Sequence, residues 1–225
     1  MNKLIITVFI LSMMFSTGCS SSPKVTQKEL KDVQALLKGF GKSYSLDQLR
    51  TLKILNLFGK NVTNKDLIKI KVLKTLEELN LWSTSVTSAG LVHIKELKNL
   101  KWLSLRKTEL ENSDLIHLKG LTNLEVLSLY DTELSDAGLV HIKGLYNLTE
   151  LHLGGTSVGD QGLAYIKSLK NLRILYLAKT QVTDKGLLEL KDMKNLARIF
   201  VRGSYVTQKG IDALKSYLPD CYINN

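Results

Sequence analysis

The sequence lacks the local signatures by which most enzymes are recognised. It has no glycine-rich loop with the spacing that cradles phosphates, no nucleophile elbow, and no cysteine or histidine cluster at metal-ligand spacing. Gly154-Gly155 is a lone pair after a strand-like segment and reads as a tight turn. Cysteine is scarce, with Cys19 and Cys221 alone, so no disulfide framework is expected and stability must come from apolar packing. The N-terminal apolar stretch, Leu4 to Phe15, is too short to span a bilayer. Acidic residues are outnumbered, 21 against 31 Lys and Arg, for a formal net charge of +10.

What the chain has in quantity is repetition. A 24-residue phrase begins at Leu49, Leu73, Leu97, Leu121, Leu145, Leu169 and Met193, with no insertion between copies. It reads L-x-x-L-x-x-L-x-L-x-x-T-x-V-T-D-x-G-L-x-x-I-K-x, most completely from Leu169 to Asp192. Its first, fourth, seventh, ninth, fourteenth, nineteenth and twenty-second positions are apolar in every copy; in the third these are Leu97, Leu100, Leu103, Leu105, Leu110, Leu115 and Leu118. No catalytic requirement places apolar residues on one period in this way, whereas a continuous stacked core does. Within a copy the spacing changes: Leu103 and Leu105 are two apart, as in a strand, and Leu115 and Leu118 three apart, as on a helix face. Each copy is thus one short strand and one short helix, neither able to bury its apolar side alone. Stacking the copies with parallel strands about 4.8 Å apart gives an α/β leucine-rich-repeat solenoid, an arc with strands on its concave face and helices on its convex face.

Other rows read as scaffold. Thr84, Thr108, Thr132, Thr156, Thr180 and Ser204 recur where the chain leaves the strand and can satisfy buried backbone groups, with Lys60 in that place in the first copy. Thr183 and Asp184, like Thr87, Ser88, Ser135 and Asp136, suit helix N-termini. Asn99, Asn123, Asn147, Asn171 and Asn195 lie in the turn before the strand, where asparagine tolerates tight geometry. Lys71, Lys95, Lys119, Lys143, Lys167, Lys191 and Lys215 end the helices, where a cation complements the helix dipole; attraction to anionic headgroups or envelope polymers is the alternative role of this row. His93, His117 and His141 repeat at one position of three consecutive copies, but side chains that diverge on the convex side do not converge on a metal, and no metal or other cofactor is expected.

Residues 25–36 repeat the spacing of a helical half-copy, Val25-Thr26, Leu30, Val33 and Leu36 matching Val62-Thr63, Leu67, Ile70 and Leu73. The division expected is a signal segment over 1–18, a lipidated N-terminus and short linker over 19–24, an N-terminal cap over 25–48, seven repeats over 49–216 and a C-terminal cap over 217–225.

With these motifs the copies resemble leucine-rich repeats of the ribonuclease-inhibitor-like and cysteine-containing kind, in a shortened bacterial form with Thr where the longer form often has Cys. The longer class includes substrate receptors of ubiquitin ligases; this chain has no F-box-like segment, so that role is not carried over. A short positive start at Met1 to Lys3, the apolar stretch, and Ser16-Thr17-Gly18-Cys19 follow the order of a secretory signal. Cys19 after Gly18 resembles a bacterial lipobox, which implies a palmitoylated, membrane-anchored lipoprotein of the cell envelope; Ser16 departs from the large aliphatic residue usual there. Ser20 after the cysteine resembles the outer-membrane sorting pattern, should the cell be Gram-negative.

Strand alternation points the sixth, eighth and tenth positions of each copy outward on the concave face, where they are expected to have no packing duty. These positions carry Phe58, Trp82, Trp102, Tyr130, Tyr176 and Phe200, six of the chain's fifteen aromatics and both its tryptophans. Asn56, Asn80, Ser104, Ser128 and His152 run down the middle, with Glu78, Glu150, Arg106, Arg198 and Arg202 among them. Clustered aromatics of this kind are candidate interface hot spots, and mixed charge suits a protein or peptide better than a polyanion. The function expected is therefore non-enzymatic binding by a monomer. Glycan binding or a structural envelope role is the alternative, and a hydrolase site assembled across copies a remote one; nucleic acid is disfavoured by export.

Overall fold

Alternation at the seventh and ninth positions and helix spacing at the nineteenth and twenty-second produce one strand and one helix per copy, as each copy's pattern dictates. The computed structural model describes residues 25–225; the expectations for the signal segment, Cys19 and the linker lie outside the described residues. Two helices, α1 (Gln27–Gly39) and α2 (Leu46–Arg50), come first. Then follow β1 (Ile54–Asn56), α3 (Asn64–Ile70), β2 (Glu78–Asn80), α4 (Ser88–Ile94), β3 (Trp102–Ser104), a 3-10 helix (Asn112–Leu118) and β4 (Val126–Ser128). The remainder is α5 (Asp136–Leu139), β5 (Glu150–His152), α6 (Asp160–Ile166), β6 (Ile174–Tyr176), α7 (Asp184–Leu188), β7 (Arg198–Phe200), α8 (Gln208–Lys215) and β8 (Tyr222–Asn224). The eight strands form one parallel sheet in sequence order, each residue paired with the one 24 places on, as in Leu79, Leu103 and Leu127. This is an α/β leucine-rich-repeat solenoid.

The seven apolar rows form one continuous core between sheet and helices, and every member is buried except Leu52, which is half-buried at the first copy. In the N-terminal cap, Thr26 closes a capping box with Glu29 at the start of α1. Leu30, Val33 and Leu37 face inward there, rather than Leu30, Val33 and Leu36. The shift has a simple cause: in the copies the helix ends before the position equivalent to Leu36, whereas α1 continues, so the next inward residue comes four after Val33.

Adjacent copies are joined by polar clasps as well as apolar contact. Thr84, Thr108, Thr132, Thr156 and Thr180 are buried, each donating its hydroxyl to the carbonyl three residues earlier at 2.6–2.7 Å. The asparagine row has a different use from turn geometry: Asn99, Asn123, Asn147, Asn171 and Asn195 donate to backbone carbonyls 25 residues earlier in the chain, at 2.7–2.9 Å. On the convex side Asp160 accepts from both the backbone N–H and the hydroxyl of Thr183 at 2.8 Å, and Asp184 does the same for Thr207 at 2.7 Å. Asn64 and Asn112 hold Thr87 and Ser135 similarly. This residue of one copy occupies the space beside the next helix, which is why glycine stands at 90, 138, 162, 186 and 210: a Cβ there would meet the Asn or Asp of the preceding copy. The third copy reverses the pair, Asp114 replacing the glycine where the preceding residue shrinks to Ser88, and Asp114 instead accepts from the Glu111 N–H at 2.9 Å.

After each strand the chain turns through one left-handed residue. It is Gly59, Gly155 or Gly203 in three copies and Ser83, Lys107, Asp131 or Lys179 in the others, at φ of 50° to 74°.

Candidate functional site

Eight parallel strands in register carry each concave side chain directly beside its counterpart in the next copy, about 4.8 Å away, the spacing at which planar groups stack. The tenth positions of the first four copies form one such stack. Phe58 lies on Trp82 with ring centroids 4.3 Å apart, and the Arg106 guanidinium sits between Trp82 and Tyr130 with Cζ 4.4 Å from each ring centroid. Beyond Tyr130 the stack changes column. Tyr130 lies over Gly154, where a Cβ would come within 2.9 Å of its ring, and the series continues on the eighth positions: His152 to Tyr176 at 4.2 Å and Tyr176 to Phe200 at 4.5 Å. Tyr222 of β8 closes it edge-on, 6.5 Å from Phe200. Side-chain size compensates across the change: Ser104 and Ser128 are small beside Arg106 and Tyr130, while Gly154 and Ala178 are small beside His152 and Tyr176.

The residues expected on this face divide accordingly. Phe58, Glu78, Arg198 and Arg202 are exposed. Asn80, Trp82, Trp102, Arg106, Tyr130, Glu150, His152, Tyr176 and Phe200 are half-buried. Ser104 and Ser128, at 2% and 4% exposure, are floor residues rather than offered groups, because larger neighbours rise above them. The expectation that outward positions have no packing duty is therefore corrected: on a parallel ladder the neighbours pack on one another. Asn56 and Asn80 also have local work, each accepting at 3.0 Å from the backbone N–H two residues on. Tyr222, 56% exposed, joins the face and was not among the expected residues; a strand after the seventh copy would have signalled it.

Electrostatically the face is varied. His152 Nε2 lies 2.7 Å from Glu150 Oε1, yet burial pushes the His152 pKa below its ordinary value, with Glu150 opposing that and Arg106 adding to it. Burial, then Glu150, raises the Tyr176 pKa. Beside the strands, Glu77 lies between Lys101 and Lys53, whose hydrogen bonds hold its carboxyl down to about 2. Clefts occur away from the concave face, one of about 690 Å³ bordered by Asn147, Arg173 and Asp220 and one of about 840 Å³ bordered by Lys167, Lys191 and Tyr217. His93, His117 and His141 are half-buried on the convex side, and among the described residues no group of three His, Cys, Asp or Glu is placed to hold a metal.

A Leucine Rich repeat family model matches residues 147–167 and 168–191, which fall in the fifth and sixth copies. Solved structures share the architecture over most of the chain. Internalin C2 of Listeria monocytogenes superposes with a TM-score of 0.64 at 21% identity, over 86% of this chain and 91% of that one. A leucine-rich-repeat protein of Leptospira interrogans gives 0.60 at 24% identity, over 79% of this chain and 50% of that one. A second Listeria internalin, the inlF protein, gives 0.59 at 16% identity, over 82% and 58%. No functionally curated protein matches.

Proposed function

We propose that this protein is a non-enzymatic binding module that engages a protein or peptide through its concave face and is held at the bacterial cell envelope by a lipid on Cys19. The observation that carries the binding reading is the aromatic series running across the concave face from Phe58 to Tyr222, one side chain per copy. Clustered aromatics with mixed charge suit a partner interface. The way the rings stand favours protein over glycan: sugars stack on open ring faces, whereas Trp82, Tyr130 and Tyr176 have theirs against neighbours and present edges. The repeat fold, which commonly serves binding, supports the same reading.

The anchor rests on the lipobox-like Ser16-Thr17-Gly18-Cys19, and the bacterial lipoprotein reading and the ribonuclease-inhibitor-like or cysteine-containing repeat type belong with it. Among the described residues no helix is long and apolar enough to cross a membrane. Capture of a protein from envelope extracts by the wild type, lost in Trp82→Ala/Trp102→Ala, is the expected result. Equal capture by the variant would refute the concave-face reading, and retention on purified cell-wall polymer alone would point to the glycan-binding or structural alternative. For the anchor, labelled palmitate should enter the wild type and not Cys19→Ala; label persisting in the variant refutes it.

A further inference from the structure

Among the described residues three buried side-chain polar atoms lack a hydrogen-bond partner: Trp82 Nε1, Arg106 Nε and Ser128 Oγ. They lie in three consecutive copies on the one face, around the same arginine. The two rings that sandwich Arg106 fix the plane of its guanidinium and restrict its rotamers before anything binds. Among the described residues Arg106 forms no ion pair; the acids nearby are engaged elsewhere, Glu150 by His152 at 2.7 Å and Asp131 by Lys107 at 3.9 Å. A fixed, unpaired and half-buried guanidinium is a cation whose counter-charge is not supplied by the protein.

We infer that Arg106 is the anchor for a carboxylate of the bound peptide, so that the partner brings an Asp or Glu side chain, or its C-terminus, to this part of the arc. The inference rests on the concave-face reading and names the chemistry of the partner. A planar guanidinium fork matches a carboxylate through two parallel hydrogen bonds. A phosphate dianion would call for a second cation, and the outward positions of the second to fourth copies contain no other Lys or Arg. Rings on either side of the ion pair exclude water and strengthen it, and the chain's formal charge of +10 steers an acidic partner inward.

The test selects random heptapeptides on the full chain, then measures each selected peptide and its acid-to-amide twin against wild type, Arg106→Gln, Arg106→Lys and Tyr176→Ala/Phe200→Ala. Wild type should enrich Asp, Glu or a free C-terminus at one place and lose about tenfold or more in affinity for the amide twin, the scale of a charge-assisted pair. Arg106→Gln should abolish that difference, and Arg106→Lys, which keeps charge without the plane, should fall between. Equal affinity of wild type for both twins, or an acid preference that survives Arg106→Gln, overturns the anchor. If those peptides still depend on Tyr176 and Phe200, the concave-face reading stands while the anchor falls; peptides indifferent to every substitution, or none selected, sink both. Thermal melting checks each variant's fold, and if Arg106→Gln does not fold the wild-type twin comparison decides.

Discussion

Replacing Gly186 with alanine should loosen the joint between the fifth and sixth copies. A Cβ at 186 would lie 2.8 Å from Asp160 Cα and Cγ and inside contact distance of its Oδ1. Asp160 is held there by accepting from the Thr183 N–H and hydroxyl, both at 2.8 Å. Relief requires Asp160 to swing out, losing two hydrogen bonds to a charged acceptor. At about 1.5–3 kcal/mol each, taken at the low end because Asp160 is half-buried, the loss is about 3 kcal/mol. Alanine's better helix propensity returns about 1 kcal/mol, leaving a net cost of about 2 kcal/mol. For a chain of this size that lowers Tm by about 4–8 °C. Asp160→Ser removes the obstruction, as Ser88 does opposite Asp114, so Gly186→Ala in that background should be neutral or slightly stabilising. Circular dichroism melts and urea titrations of wild type, both single variants and the double would measure the coupling. Wild-type stability of Gly186→Ala, or simple additivity in the double variant, would refute the inter-copy clasp as the reason for the glycine row.

Three further outcomes follow from the same structure. Ser83 holds φ 56°, so Ser83→Gly should gain about 0.5–1 kcal/mol in urea unfolding after allowance for glycine's entropy, whereas Gly155→Ala, at φ 70° and crowded by Asp131, should lose stability. Cys221 is 3% exposed and burial pushes its thiol up to about 11, so at pH 8 a thiol reagent should label it only on unfolding. Because that pKa is raised in the folded state, its contribution to stability is present below the unfolded thiol value of about 8.5 and lost as pH rises towards 11, a slope absent in Cys221→Ala. His152 is the opposite case: with its pKa depressed on folding, stability is present above the unfolded value of about 6.5 and falls as pH drops through the lower folded value. Melts between pH 7 and 5 should show that slope in the wild type and a smaller one in His152→Phe; equal slopes would exclude His152 as the source.

Much of the fold was legible in the chain because the apolar rows repeat without insertion, so the burial of Leu103 implies that of Leu79 and Leu127. Their register follows from the same 24-residue count. The rows of Asn, Asp and Gly were visible too, but not their use. Asn147 and Asp160 look like local turn and cap residues because single-chain rules refer a polar side chain to its neighbours in sequence. Their partners are Thr122 and Thr183, 25 residues before and 23 after, reachable only when copies stack. The exchange of Ser88 and Asp114 for the usual larger residue and glycine was equally open to reading, and becomes meaningful once the two are known to share one space.

For the concave face, strand alternation alone determined which residues point outward, since successive side chains must leave a strand on opposite sides. Whether Trp82, Arg106 and Tyr130 stand as separate exposed groups or as one stack was decided by the tertiary structure, because stacking depends on the separation of parallel strands and on the rotamers their neighbours allow. The change of column at Gly154, the burial of Ser104 and Ser128, and the unpaired guanidinium between two rings have the same origin. The sequence by itself determined the repeat, the core and the two faces of the arc, through periods of 24, two and three residues that any stacked chain must obey. What the binding face presents was set by contacts between copies.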